Sequence, residues 1–92
     1  MEEKEKYHAE MEARLMRFGE TINEIKTRME KRKESLPNIP IQTTIKKHED
    51  AKAKLAAMEQ SDENSWHKFK TELNNLANDI DEDIRESLAY FP

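Results

Sequence analysis

Apolar residues in the first third of the chain climb in alternating three- and four-residue steps, and the ladder stops at a pair of prolines. The rungs are Met11, Leu15, Phe18, Ile22, Ile25, Met29 and Leu36, and Arg32 replaces one of them. In heptad letters Leu15, Ile22, Met29 and Leu36 are a, and Met11, Phe18 and Ile25 are d; polar His8 and Arg32 fall on a and d. Such a stripe lines one face of a helix and nothing else. Pro37-Asn38-Ile39-Pro40 follows it directly. Pro37 drives Leu36 out of the α region, so the first helix must end there. Pro40 is suited to the first turn of the next helix.

The pattern predicts a first helix over about 3–35, a turn over 36–40 and a second helix over about 41–60. Apolar positions of the second are Ile41, Ile45, Ala51, Leu55 and Met58, with His48 on the same face. Ser61-Asp62-Glu63-Asn64-Ser65 is a run of capping residues, read as a break with Ser61 or Asp62 opening a third helix over about 62–90. Trp66, Phe69, Leu73, Leu76, Ile80, Ile84, Leu88 and Phe91 form its stripe. Consecutive four-residue steps within it suit a short bundle better than a long zipper. The expected fold is an all-α, antiparallel up-down-up three-helix bundle in a single domain spanning 1–92. The alternative is a helical hairpin with helices 2 and 3 continuous, dimerising into a four-helix bundle.

Composition supports helices. Charged residues are 39% of the 92, the hydrophobic set is 35%, and there is one glycine, so sheets with Gly-rich turns are disfavoured. The absence of cysteine removes disulfide and thiol chemistry and fits a cytoplasmic protein. No apolar run is long enough to span a bilayer, and the charged start, Met1-Glu2-Glu3-Lys4-Glu5-Lys6, is not a secretory signal. The net charge of −4 disfavours a general nucleic-acid binder. Residues 61–92 carry eight acids against three bases. In an up-down-up bundle Asp79, Asp81, Glu82, Asp83 and Glu86 should meet Lys26, Arg28, Lys31, Arg32 and Lys33, with Lys46 and Lys47, in cross-helix ion pairs.

Chemistry-bearing motifs are sparse. Asp79-x-Asp81-x-Asp83 resembles the opening of a calcium loop but lacks its glycine and distal glutamate, so a solvated helix face is expected. His8, His48 and His67 have no metal-ligand spacing. No nucleophile–base set or phosphate-binding glycine loop is present, and neither enzyme activity nor a cofactor is expected. Gly19, behind Phe18, marks a place where another helix can approach closely. Two candidate surfaces remain. A 20-residue second helix covers only part of a 33-residue first one, which leaves Tyr7, Met11 and Leu15 as an expected self-association face, dimer favoured. The segment holding Lys26, Arg28, Lys31, Arg32 and Lys33 is the alternative, a contact for an anionic polymer or membrane surface.

Lys6-Tyr7 with Leu15, Phe18, Ile22 and Lys26, the Ala51-Lys52-Ala53-Lys54 stretch between His48 and Leu55, and Ser61, Trp66, Lys70 and Phe91 together resemble small bacterial coiled-coil proteins of about this length, a group tied to stress response. The chain departs from them at Phe18, where tryptophan is usual, and at the Pro37–Pro40 turn, where helix is usual. The resemblance implies a non-enzymatic, cytoplasmic interaction or stress-related role.

Overall fold

The computed structural model describes residues 3–32 and 41–89. Within them the chain is an all-α three-helix bundle: α1 (Glu3–Arg32), α2 (Ile41–Glu59) and α3 (Trp66–Leu88). The Lys4 ammonium reaches the carbonyls of Glu59 and Ser61, so the end of α2 lies beside the start of α1. Tyr7 meets Trp66, Lys70 and Asn74, so α3 starts there too and runs parallel to α1. Expected and observed topologies agree: up, down, up.

The core is the set of stripes read from the sequence. Met11, Leu15, Phe18, Ile22 and Ile25 of α1 meet Ile41, Ala51, Leu55 and Met58 of α2 and Trp66, Leu73, Ala77, Ile80 and Ile84 of α3. Tyr7, Met29, Ile45, Phe69, Leu76 and Leu88 pack around it, half-buried. Ser87 is fully buried, and its hydroxyl finds no hydrogen-bond partner among the described residues.

Helices α2 and α3 are separate, which removes the continuous-hairpin alternative. Helix α2 tightens through Gln60 N–H to Ala57 O and Ser61 N–H to Met58 O, at 3.1 and 3.0 Å, and stops. Asp62 Oδ1 accepts the N–H groups of Asn64 and Ser65 at 3.0 and 2.8 Å, which builds a turn over 62–65. Helix α3 therefore opens at Trp66 rather than at Ser61 or Asp62: the Asp62 side chain caps the turn in front of it. Hydrogen bonds from the Ser65 side chain and from the Ser65 and Asn64 backbone hold the Asp62 carboxyl below the usual carboxylate range. The end of α2 lacks a cation of its own, and Lys4 of α1 supplies one to its terminal carbonyls.

The predicted uncovered strip is not there. Met11 and Leu15 are each 3% exposed, and Tyr7 is half-buried against α3. The expectation assumed that α2 begins level with the end of α1. Eight residues separate Arg32 from Ile41, enough chain to enter α2 at a lower level. Helix α2 is level with α1 at the Glu59–Lys4 end, so its shortfall, 19 residues against 30, falls on about the last three turns of α1 and not on the first. Residues 33–35, expected as helix, lie outside the described residues, as do the 36–40 turn and the end of the chain beyond Ala89.

Of the expected cross-helix ion pairs, the one from Lys47 of α2 is present among the described residues, and the Arg32 side chain and Lys33 lie outside them. Lys47 Nζ bonds Asp83 Oδ2 at 2.9 Å, and Thr44 Oγ1 approaches the same oxygen at 3.4 Å. Lys54 meets Glu72 at 3.4 Å. On α1, Arg28 turns back to Glu24 at 2.8 Å, and Lys26 and Lys31 are exposed. The Asp83 hydrogen bond raises the Lys47 pKa above its ordinary value, and burial raises that of Tyr7.

Two expectations test this packing. Met11→Ala should cost about 2–4 kcal/mol in urea unfolding, as a buried methionine does, while Met16→Ala, one residue outside the core stripe, should stay within about 0.5 kcal/mol. Similar losses at both positions would contradict the register. Both raised pKa values favour the protonated form in the folded state. Their contribution is complete below the unfolded values and is lost as pH climbs past the folded ones, so stability should fall above about pH 10. Tyr7→Phe should cost about 1 kcal/mol at neutral pH and flatten part of that alkaline fall. An unfolding midpoint that drops as steeply in the variant would contradict the assignment.

Candidate functional site

Stacked residues His8, Glu12, Leu15, Met16 and Gly19 of α1 face His48, Lys52, Leu55, Ala56 and Glu59 of α2 across a hollow of about 420 Å³. A smaller hollow continues it along Ile22, Asn23 and Lys26 of α1 and Ile45 and Glu49 of α2. The two share Gly19, His48 and Lys52, so one groove runs along the α1–α2 seam. Helical geometry explains the lining: on α1, positions 8, 12, 15, 19, 22 and 26 recur in steps of three and four and share a face.

Gly19 and His48 set the middle of this groove. A Cβ at Gly19 would stand 3.3 Å from His48 Cε1 and 3.5 Å from Nε2, so the missing side chain makes room for the imidazole. The sequence signal at Gly19 was close approach of another helix, and the approaching group is this ring. His48 Nε2 lies 2.7 Å from the Leu15 carbonyl. A carbonyl oxygen only accepts, so Nε2 carries the proton, and in the neutral ring Nδ1 is the free acceptor. One turn from the N-terminus of α1, His8 stands between two carboxylates, with Nδ1 3.8 Å from Glu12 and Nε2 3.6 Å from Glu59. These contacts are ionic only when the ring is protonated.

Met16 is 63% exposed and is, among the described residues, the exposed large hydrophobic side chain. It stands on the wall of the groove, beside the buried Leu15 and Leu55. Aliphatic and histidine carbons thus form an open apolar floor with charged ends. The surface is shaped for an apolar knob with polar neighbours.

Of the sequence-derived interface, Tyr7 donates its hydroxyl hydrogen bond to Asn74 Oδ1 at 2.7 Å, and its ring lies 6.0 Å from Trp66. Lys70 Nζ sits 5.6 Å from both ring centroids. Tyr7 and Met11 are therefore internal packing and do not form a contact face, and Leu15 is buried with its edge on the floor of the groove. Of the basic segment, Lys26 borders the upper groove, Arg28 is held by Glu24 and Lys31 is exposed. The Arg32 side chain and Lys33 lie outside the described residues. Met16 was missed. Its signal was present: it occupies heptad position b, directed away from the stripe that Leu15 begins.

Asp79, Asp81 and Asp83 lie within α3 and form no loop. Among the described residues no three His, Cys, Asp or Glu side chains converge in a way that holds a metal ion. No helix of the described residues is long and apolar enough to cross a membrane. Comparison with protein-family models, curated proteins and solved structures gave no match.

Proposed function

We infer that this protein is a non-enzymatic contact module and that the α1–α2 groove is its binding face. The observation that carries the reading is Met16. A methionine left exposed beside a hollow floored by Leu15 and Leu55 is what a protein-binding surface offers a partner. Methionine is unbranched and polarizable, so it adapts to an incoming apolar side chain, and the flanking Glu12, Glu59 and Lys52 impose charge selection. The resemblance to small bacterial coiled-coil proteins supports the same class of role, cytoplasmic and stress-related, with a homodimer as the first assembly to consider.

Contact with an anionic polymer or membrane through Lys26, Arg28 and Lys31 has less support. Glu24 engages Arg28 at 2.8 Å, and Glu30 adds a further negative charge on the same turns.

A photo-crosslinking residue at position 16, expressed in the native cell, should give adducts of discrete mass whose crosslinked peptide is identified by mass spectrometry. The same residue at position 75, exposed on α3, should not give them. Equal labelling from both positions, or no adduct from 16, would sink the groove as a binding face.

A further inference from the structure

The groove carries opposite charge at its two ends. At the His8 end stand Glu5, Glu12 and Glu59. Lys4, the cation at that end, is engaged by the carbonyls of Glu59 and Ser61. At the far end Lys26 stands beside Asn23 and the apolar Ile22 and Ile45. Glu49 and Lys52, about one turn apart on α2, offset each other between the ends. Met16 and Gly19 lie midway. A half-turn about an axis laid across the groove exchanges its ends, so an antiparallel copy meets acid with base twice over while the middle meets itself.

We propose that a second copy of this chain docks antiparallel in the α1–α2 groove, Met16 of each copy over Gly19 of the other, and Lys26 of each between Glu12 and Glu59 of the other. The proposal rests on the groove being a binding face. Setting residue 16 over residue 19 brings Lys26 level with Ala9. That is about 4.5 Å along the axis from Glu12 at 1.5 Å per residue, within reach of a lysine side chain. The His48 ring fills the space beside Gly19, so the incoming methionine meets imidazole carbons there. Glu12 and Lys26 are exposed, so neither is committed to the core.

The scale of the contact sets its strength. The groove extends from His8 to Lys26, roughly 27 Å at 1.5 Å per residue. The short dimensions of the molecule are 19 and 17 Å. A face of that length and width buries about 450 Å² per copy, at the low end for specific complexes. The dimer is therefore weak, reversible and salt-sensitive, because exposed charges set its register.

Sedimentation equilibrium at high micromolar concentration tests this. The unaltered protein should show a dimer fraction that rises with concentration and falls with salt. Glu12→Lys and Lys26→Glu, each alone, create two like-charge contacts across the pair and should weaken association by roughly tenfold. Mixed in equal amounts, the two variants should associate with each other, because each supplies the charge that the other needs. All substituted positions are exposed, and helical content by circular dichroism should be unchanged. A monomer at every concentration, or a mixture no tighter than either variant alone, would overturn the proposal. If position 16 crosslinks to an identified different protein while the chain sediments as a monomer, self-docking falls and the groove reading stands. If position 16 gives no adduct at all, both fall.

Discussion

A histidine seated where a side chain is missing fixes how this bundle is assembled. Three amphipathic helices of unequal length can slide along one another and still bury leucines and isoleucines, because apolar burial is non-directional. The ring of His48 over Gly19, with its Nε2–H on the Leu15 carbonyl at 2.7 Å, has a single place on α1 to go. Any larger residue at 19 meets the imidazole, and any slide of α2 takes the donor from its acceptor. Lys4 at the carbonyls that end α2 and Tyr7 at the start of α3 agree with that register. Position along the axis is thus held by polar contacts, to which Lys47 on Asp83 and Lys54 on Glu72 add between α2 and α3, while cohesion comes from the shared core.

The surface follows from the register. With α2 level with the start of α1, Met11 and Leu15 are enclosed and the α1–α2 seam becomes a groove with Met16 on its wall. Glu12 and Glu59 then stand at one end and Lys26 at the other, although Glu59 lies far from both in sequence. Sliding α2 by two turns would dissolve this arrangement without changing the composition of either helix. The proposed contact face and its self-complementary charge order are consequences of one interhelical alignment.

Periodicity and register are legible in a sequence to different degrees. The stripe from Met11 to Ile25 predicts α1 and its buried face, since a three- and four-residue repeat has one geometric meaning. The run from Trp66 to Ile84 does the same for α3. The break near Ser61 was legible as a cluster of capping residues, but its detail was not: Asp62 could cap either the turn or the helix, and backbone geometry decides between them. The alignment of α2 was not legible. It depends on a contact between Gly19 and His48, and each residue alone has several ordinary explanations. A second helix placed level with the end of α1 leaves Tyr7, Met11 and Leu15 uncovered and removes the groove. Met16 was passed over for a related reason, because a methionine off the stripe matters only once its neighbours across the seam are known.

Contacts of the His48 ring measured by nuclear Overhauser effects in isotopically labelled protein test the alignment most directly. The register described here predicts cross-peaks from His48 Hε1 to the Gly19 Hα protons. A helix α2 starting level with the end of α1 places His48 about two turns higher, near Ile25 and Lys26, at 3.6 residues per turn. Cross-peaks from His48 to Ile25 in place of Gly19 would contradict the register, and with it the groove.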